Sequence, residues 1–321
     1  MKVAVIGLGS MGQRRIRLLK QYDETLELIG IDKSLDRIQQ AEEKYHIQTY
    51  TSLESVLKKD LIDAAFVCTS PLSHHSIIYE LISRKINVFT EINLVRDGYE
   101  YFIKEKDVKI FLSSTFLYRK DIQWIIQRVN NQRCNYRYHT GQFLPDWHPW
   151  ESYKQFFVSD IRTNGCRELL AIELPWIVAC FGPIVNVTVK KDKMSDLEIN
   201  YYDNYMLLVE HENGSIGQIA IDIVARRAIR QLDVYNQDLQ VYWNGTPNSL
   251  QEWDISEKIM RDISTYDTIE HNKNYCDNII ENAYMDEIDA FMTWIKGDSS
   301  KVRYGFEKDS ELLQLIDEIE E

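Results

Sequence analysis

Apolar and polar positions follow two different rhythms along this chain, and the change comes near residue 118. Before it, KVAVIGLG, ELIGID, AAFVCTS and NVFTEI are short continuous apolar runs, with IQTY and KIFLSST as briefer ones. Such runs read as strands buried on both faces. Between them MGQRRIRLLKQY, SLDRIQQAEEKYH, SLESVLKKD, HHSIIYELISRK and a stretch near 98–106 repeat apolar residues at helical spacing, the second opening on a capping serine. Strands alternating with helices predict a parallel sheet covered on both sides.

Beyond Tyr118 the period shortens to two. A helix, RKDIQWIIQRVNN, leads into NYRYHTGQF, VNVTVKKD, NYMLLVEHE, GQIAIDIVA and RQLDVYNQDLQVYW. This is the alternation of a sheet with one half-exposed face. ENGS predicts a hairpin turn in which Asn213 and Gly214 supply the positive backbone angle. YMDEIDAFMTWIKG reads as an amphipathic helix ending at Gly297. The reading is α/β followed by α+β. The segments containing Trp294 and Leu312 are expected as helices packed on these domains. An open antiparallel sheet with an apolar face predicts a homodimer or homotetramer through that C-terminal sheet.

Composition narrows the function. The net charge of -13 argues against nucleic acid, whose phosphates need a basic patch. The five cysteines are odd in number and show no CxxC or Cys/His spacing. Free thiols, no metal site and a reducing cytoplasm are therefore expected. No apolar run approaches the ~20 residues that span a bilayer. MKVAVIGLG enters a strand at once, so neither a signal peptide nor a membrane partner is expected. What remains is a small-molecule protein.

GLGSMG places Gly7, Gly9 and Gly12 between the first strand and the first helix, with Ser10 and Met11 inside the turn. Gly7 permits a tight turn, Gly9 lets backbone approach a pyrophosphate, and Gly12 lets the helix pack closely. The helix N-terminus favours the negative charge. Asp32 stands twenty residues beyond Gly12, at the end of the second strand. There a carboxylate would bind an adenine-ribose diol and repel a 2′-phosphate, which favours NAD. Lys33, Ser34 and Arg37 lie close by and keep NADP open. The expected organisation is a Rossmann dinucleotide-binding domain over residues 1–118 and an α+β domain over 119–321 with a largely antiparallel open sheet, for substrate and oligomerisation.

Over nearly its whole length the chain resembles the Gfo/Idh/MocA family of sugar and polyol oxidoreductases. The likeness lies in GLGSMGQRRIRLL, the ID of the second strand, VCTSPLSHHSIIYELISRKINVFTE and the switch to an α+β domain. The resemblance implies that Thr69, Ser70 and Pro71 form a turn beside the nicotinamide or its ribose, with His75 just after it. It also implies a Glu-Lys-Pro motif whose lysine reaches substrate and nicotinamide. Here Glu91 is kept, but Ile92 stands for the lysine and Asn93 for the proline. An isoleucine moves no proton. The family's Asp and His on a later helix are also missing, and NGCRELLAIELPWIVACFG offers Arg167, Glu168, Glu173 and Trp176 instead.

Chemistry is then sought in FLPDWHPWESY, residues 143–153, which crowds Trp147, His148, Trp150, Glu151 and Tyr153 into a proline-broken loop. Indole faces and acids suit a sugar, while an aromatic anchor for the loop is the plainer alternative. His148 is the first acid/base candidate because imidazole titrates near neutrality. Glu173 is the second, with burial as the means of raising it. Glu91 is expected to orient cofactor or substrate. Arg167 is expected as an anion clamp, with an internal salt-bridge network as the competing reading, and Trp176 as a substrate contact. Three functions follow: a hydride-transfer enzyme acting on a sugar, nucleotide sugar or polyol; a cofactor-binding pseudo-enzyme; and an enzyme with tightly bound NAD that catalyses no net redox change.

Overall fold

The computed structural model describes residues 1–59, 61–130, 132–148, 151–270 and 279–321. The chain forms two compact units. One comprises Met1–Ser114 and Tyr284–Glu311, the other Thr115–Ala283 and Leu312–Glu321. The chain thus leaves the first unit just ahead of the expected boundary at 118 and later returns to it.

The first unit contains strands β1 (Lys2–Ile6), β2 (Glu27–Ile31), β3 (Gln48–Tyr50), β4 (Ala64–Val67), β5 (Asn87–Thr90) and β6 (Ile110–Leu112). Helices α1 (Ser10–Tyr22), α2 (Leu35–Tyr45), α3 (Leu53–Leu57), α4 (His74–Ser83) and α5 (Tyr99–Phe102) lie between them. All the strands pair in parallel, in the order β3-β2-β1-β4-β5-β6. This is the doubly wound arrangement, and its order reverses between β1 and β4. Ser34 caps α2 by accepting from the Arg37 amide, as the sequence implied, and Ser52 caps α3 in the same way.

The second unit contains α6 (Lys120–Val129), β7 (Asn135–Gly141), α7 (Gly165–Phe181), β8 (Ile184–Asp192), β9 (Asn204–His211), β10 (Ile216–Asp222), β11 (Ile229–Tyr235), β12 (Gln240–Trp243), β13 (Gln251–Asp254) and β14 (Ile259–Asp262). Helices α8 (Glu281–Ile295) and α9 (Phe306–Glu320) follow in sequence, most of α8 belonging to the first unit and most of α9 to the second. The sheet runs β14-β13-β12-β11-β7-β10-β9-β8 and is antiparallel apart from the β7–β10 pair. Its inner face carries Tyr136 and Tyr138 of β7 against α7, where Tyr136 stacks on Phe181 at 4.1 Å and Tyr138 meets Trp176 edge-on. Its outer face leaves Met206 and Leu208 of β9 at 54% and 45% exposure. At the β9–β10 turn only Gly214 takes a positive φ, of 82°. Asn213 was expected to share that angle and instead accepts the Ser215 amide with its side chain. Among the described residues no helix is long and apolar enough to cross a membrane.

The return of the chain to the first unit has a packing reason. Phe66, Phe89 and Phe111 are register partners across β4, β5 and β6, and they stack at 4.6 and 4.9 Å. Phe291 of α8 meets all three rings at steep angles. Such edge-on contacts add to the area a ring buries. Phe291→Ala is expected to destabilise the protein by about 3–5 kcal/mol, read as a lower urea midpoint with an unchanged slope.

Candidate functional site

The glycine turn meets the steric demands of a dinucleotide site. Gly7 has φ +90°, and a Cβ there would lie 2.7 Å from the Cys68 carbonyl oxygen. A Cβ on Gly12 would fall 1.8 Å from the Gly7 oxygen, so β1 and α1 meet as they do only with glycine at both places. Gly9 is open: the nearest atom to a Cβ there is an Arg37 guanidinium nitrogen at 3.8 Å. No side chain caps α1, and its first turn, with Ser10 and Met11, holds no acid, so an anion can be accepted there. Asp32 accepts the Leu8 amide at 2.7 Å and the Ser34 amide at 2.8 Å. Its carboxylate is thereby fixed beside the turn, with Arg37 at 3.8 Å. These residues fit a dinucleotide.

At the tip of β5, Glu91 faces inward. Its carboxylate receives the Arg15 guanidinium of α1 through Nε at 2.6 Å and through a second nitrogen at 3.3 Å. Arg15 is wholly buried and also donates to Glu287 of α8 at 2.8 Å and to the Tyr284 carbonyl. Burial works against the Arg15 charge, but the two carboxylates outweigh it and raise its pKa. Glu287, raised by burial and lowered by Arg15, takes further donors from Ser113 Oγ and the Ser114 amide. The expectation that Glu91 orients cofactor or substrate is corrected here, because the carboxylate is committed to Arg15. Ile92 is half-buried beside it.

The histidine next to the Thr69–Ser70–Pro71 turn also differs from expectation. His75 packs against the rings of Phe102 and Tyr79, and a Cβ on Gly98 would strike it at 2.3 Å. It belongs to an aromatic cluster of α4 and α5. The residue that holds the turn is His74, whose Nε2 lies 2.9 Å from the Thr69 carbonyl and whose Nδ1 lies 2.5 Å from Asn93. The HH pair was the signal for it, but sequence could not say which ring turned inward.

In the second unit three proposed site residues are core. Glu173 has no exposed surface and its carboxylate is saturated. Tyr138 Oη and Trp176 Nε1 donate to one oxygen at 2.6 and 2.7 Å, and Arg230 donates twice to the other at 3.0 and 2.7 Å. A carboxylate with four donors and no access cannot trade protons with a substrate, so the acid/base expectation for Glu173 falls. Trp176 is itself wholly buried against Tyr138 and Trp243 and presents no face to a ligand. Arg167 is tied to Asp317 at 2.6 Å and to Glu320, both on α9, which answers the anion-clamp expectation with the internal network.

The aromatic loop is partly accessible. His148 rests on Phe156 at 4.5 Å, and burial lowers its pKa against an opposing pull from Glu151. Trp147 donates its indole N–H to the Gln142 carbonyl, and Tyr153 Oη accepts the Glu198 amide. Trp150 lies outside the described residues. The group that sequence reasoning passed over is Glu168, on α7. One of its oxygens is sealed from solvent without a hydrogen-bond partner, and burial alone pushes its carboxyl up to about 8. Among the described residues no cation offsets that burial.

Comparison with known proteins follows the same lines. Residues 1–92 match the GFO_IDH_MocA family, described as an oxidoreductase family with an NAD-binding Rossmann fold. A myo-inositol 2-dehydrogenase from Thermotoga maritima is 26% identical over 137 residues, 41% of this chain and 41% of that protein. UDP-N-acetylglucosamine 3-dehydrogenase from Acidithiobacillus ferrooxidans superposes with a TM-score of 0.75 at 14% identity, over 99% of this chain and 96% of that one. The WlbA dehydrogenase from Bordetella pertussis, solved in complex with NADH and UDP-GlcNAcA, superposes with a TM-score of 0.74 at 14% identity, over 98% and 94%. Over its first 92 residues the chain is thus similar to the NAD-binding Rossmann domain of the Gfo/Idh/MocA oxidoreductase family.

Proposed function

We propose that the protein is an NAD(H)-dependent oxidoreductase acting on a hydroxyl or carbonyl of a sugar, nucleotide sugar or polyol, with Glu168 as the proton carrier. The observation that carries the reading is the unpartnered, buried oxygen of Glu168. A carboxyl kept near neutrality in its titration suits transfer in both directions. When bound, NAD would supply the hydride acceptor for oxidation of a substrate carbinol, and NADH the donor for reduction. In oxidation the Glu168 carboxylate accepts the hydroxyl proton; in reduction its acid form gives one back. The half-buried loop residues Trp147, His148 and Tyr153, with Trp150, are proposed to hold the sugar. Relatives named for a cyclic polyol and for a nucleotide sugar support that substrate class. A cytoplasmic location belongs to the same proposal and agrees with free thiols at Cys68, Cys134, Cys166 and Cys180.

A second reading keeps NAD permanently bound with no net redox change. Ile92, which cannot move a proton where the family's lysine would stand, favours it. Nucleotide released from denatured protein separates the two: stoichiometric NAD(H) after extensive dialysis supports retention, and none supports exchange.

For oxidation, kcat/KM is expected to rise with pH through about 8 as the Glu168 carboxyl ionises, and for reduction to fall over the same range. Glu168→Gln should lower turnover by about 10²–10⁴ and remove that limb while leaving the NADH dissociation constant nearly unchanged. A limb that persists in Glu168→Gln and disappears in His148→Ala would transfer the role to the loop histidine.

Cofactor choice is tested at Asp32. Asp32→Ala should weaken NADH about tenfold or more and NADPH less, since only NADH offers the diol. Nicotinamide fluorescence titration reads both. Equal losses would place the carboxylate away from the ribose.

The outer face of the second unit's sheet, with Met206, Leu208 and, at 37% exposure, Ile216, is proposed to meet a second copy of the chain. Sedimentation equilibrium should give a dimer or tetramer, and Leu208→Lys with Met206→Glu should shift it toward monomer.

A further inference from the structure

His74 is sealed from solvent, yet both of its ring nitrogens face oxygen atoms as placed. Nε2 meets the Thr69 carbonyl at 2.9 Å, and a carbonyl only accepts, so Nε2 carries a proton. Nδ1 meets the Asn93 amide at 2.5 Å and the Thr90 hydroxyl at 3.3 Å. That hydroxyl has its own acceptor in the Glu91 carbonyl. The Asn93 side chain also bonds the Tyr99 hydroxyl, which is paired with Asp309. Asp309 is buried, and its other oxygen accepts from Tyr304 at 2.8 Å. A continuous chain therefore runs from the Thr69 carbonyl through His74, Asn93 and Tyr99 to Asp309.

Only two proton arrangements fill every bond of this chain. In the uncharged one, protonated Asp309 donates to the Tyr99 oxygen, Tyr99 donates to the Asn93 carbonyl, and the Asn93 NH₂ donates to Nδ1. In the charged one each bond reverses: Nδ1–H of an imidazolium donates to the Asn93 carbonyl, the Asn93 NH₂ to Tyr99, and Tyr99 to the Asp309 carboxylate. The two contain the same protons, one having passed between His74 and Asp309, and any mixed orientation breaks a buried bond. Which way an amide points follows from its network.

The chain ends at the dinucleotide turn. A Cβ on Gly7 would lie 2.7 Å from the Cys68 oxygen and 3.0 Å from Thr69 Cγ2, so the Thr69 turn rests on the glycine turn. We propose that Asn93 is a positioning residue of the cofactor site, fixing the Thr69–Pro71 turn through His74 by a hydrogen-bond chain whose polarity is set at Asp309. The inference rests on NAD(H) binding at the glycine turn. Proline at position 93 would offer neither the donor nor the acceptor that this link needs. Burial pushes Asp309 up to about 6, against its tyrosine donors, and lowers His74, so both shifts work against the charged arrangement.

Two measurements test this, and NADH titration of the wild-type protein checks the cofactor site separately. In ¹⁵N-histidine spectra of the wild-type protein, His74, assigned by its loss in His74→Gln, should show a bare Nδ1 and a protonated Nε2, with shifts that move on adding NADH. In fluorescence titrations Asn93→Leu should weaken NADH about 5–30-fold. Asp309→Leu should weaken it as well, and Asp309→Asn should recover most of that loss, since an amide can both donate to Tyr99 and accept from Tyr304. A structural role alone would not give this rescue. Wild-type NADH affinity in a folded Asn93→Leu, equal losses in Asp309→Leu and Asp309→Asn, or a His74 protonated on Nδ1 alone would each overturn the proposal.

Discussion

The guanidinium of Arg15 is the charge around which the dinucleotide unit is arranged. It is wholly buried on α1, and a buried cation is tolerable only where anions and acceptors surround it. Glu91 arrives from the end of β5 and Glu287 from α8, a segment separated by most of the chain. The planar fork of arginine can serve both carboxylates and a main-chain carbonyl at once, which an ammonium could not do in one plane. Removing any partner would strand a buried charge. The helix that follows the second unit in sequence therefore completes the first, both through Glu287 and through the Phe291 ring against the sheet.

Two glutamates on α7 show how the same residue type divides between structure and chemistry. Glu173 is as buried as a side chain can be, but four donors from Tyr138, Trp176 and Arg230 meet it. Its charge is compensated, so burial does not make it reactive. Glu168, five positions earlier, has a sealed oxygen that meets, among the described residues, no donor and no cation to stabilise the anion. Arg167, adjacent in sequence, is engaged by Asp317 and Glu320. Burial raises a carboxyl's pKa with least opposition where compensation is missing, and compensation often depends on partners distant in sequence.

That distinction marks how far the sequence could be read. The parallel sheet, the glycine turn, Asp32 and the switch to an antiparallel sheet were legible because they rest on local periodicity and short spacings. Glycine at 12 is required by contact with Gly7 in the same turn, and glycine at 7 by Cys68 at the end of the neighbouring strand β4. The β13–β14 hairpin was missed, since QEWD and IMRD lack a clean alternation and β14 is exposed throughout. Glu173, Trp176 and Arg167 were assigned to a ligand because polar residues on a helix after the domain switch suggest a site. Apart from the Trp176–Glu173 bond within the helix, their partners, Tyr138, Arg230, Trp243 and the acids of α9, lie 35 to 153 residues away. Nothing local announces them. The same holds for His74 and His75, neighbours on one helix whose rings face different surroundings.

The departures at positions 92 and 93 are best understood together. A lysine after Glu91 would project a mobile cation outward, and a proline after it would fix the backbone without adding a donor. Isoleucine and asparagine reverse both properties. Ile92 offers only packing at a half-buried place, while Asn93, buried, turns its amide toward His74 and Tyr99. The polar group at this strand end thus faces inward, toward the His74 ring that meets the Thr69 carbonyl. A strand tip whose glutamate serves Arg15 and whose asparagine serves His74 has no group left for proton transfer. The chemistry of any turnover must then come from a carboxyl or imidazole outside this strand, and a glutamate whose buried oxygen lacks a donor has the physical character for it.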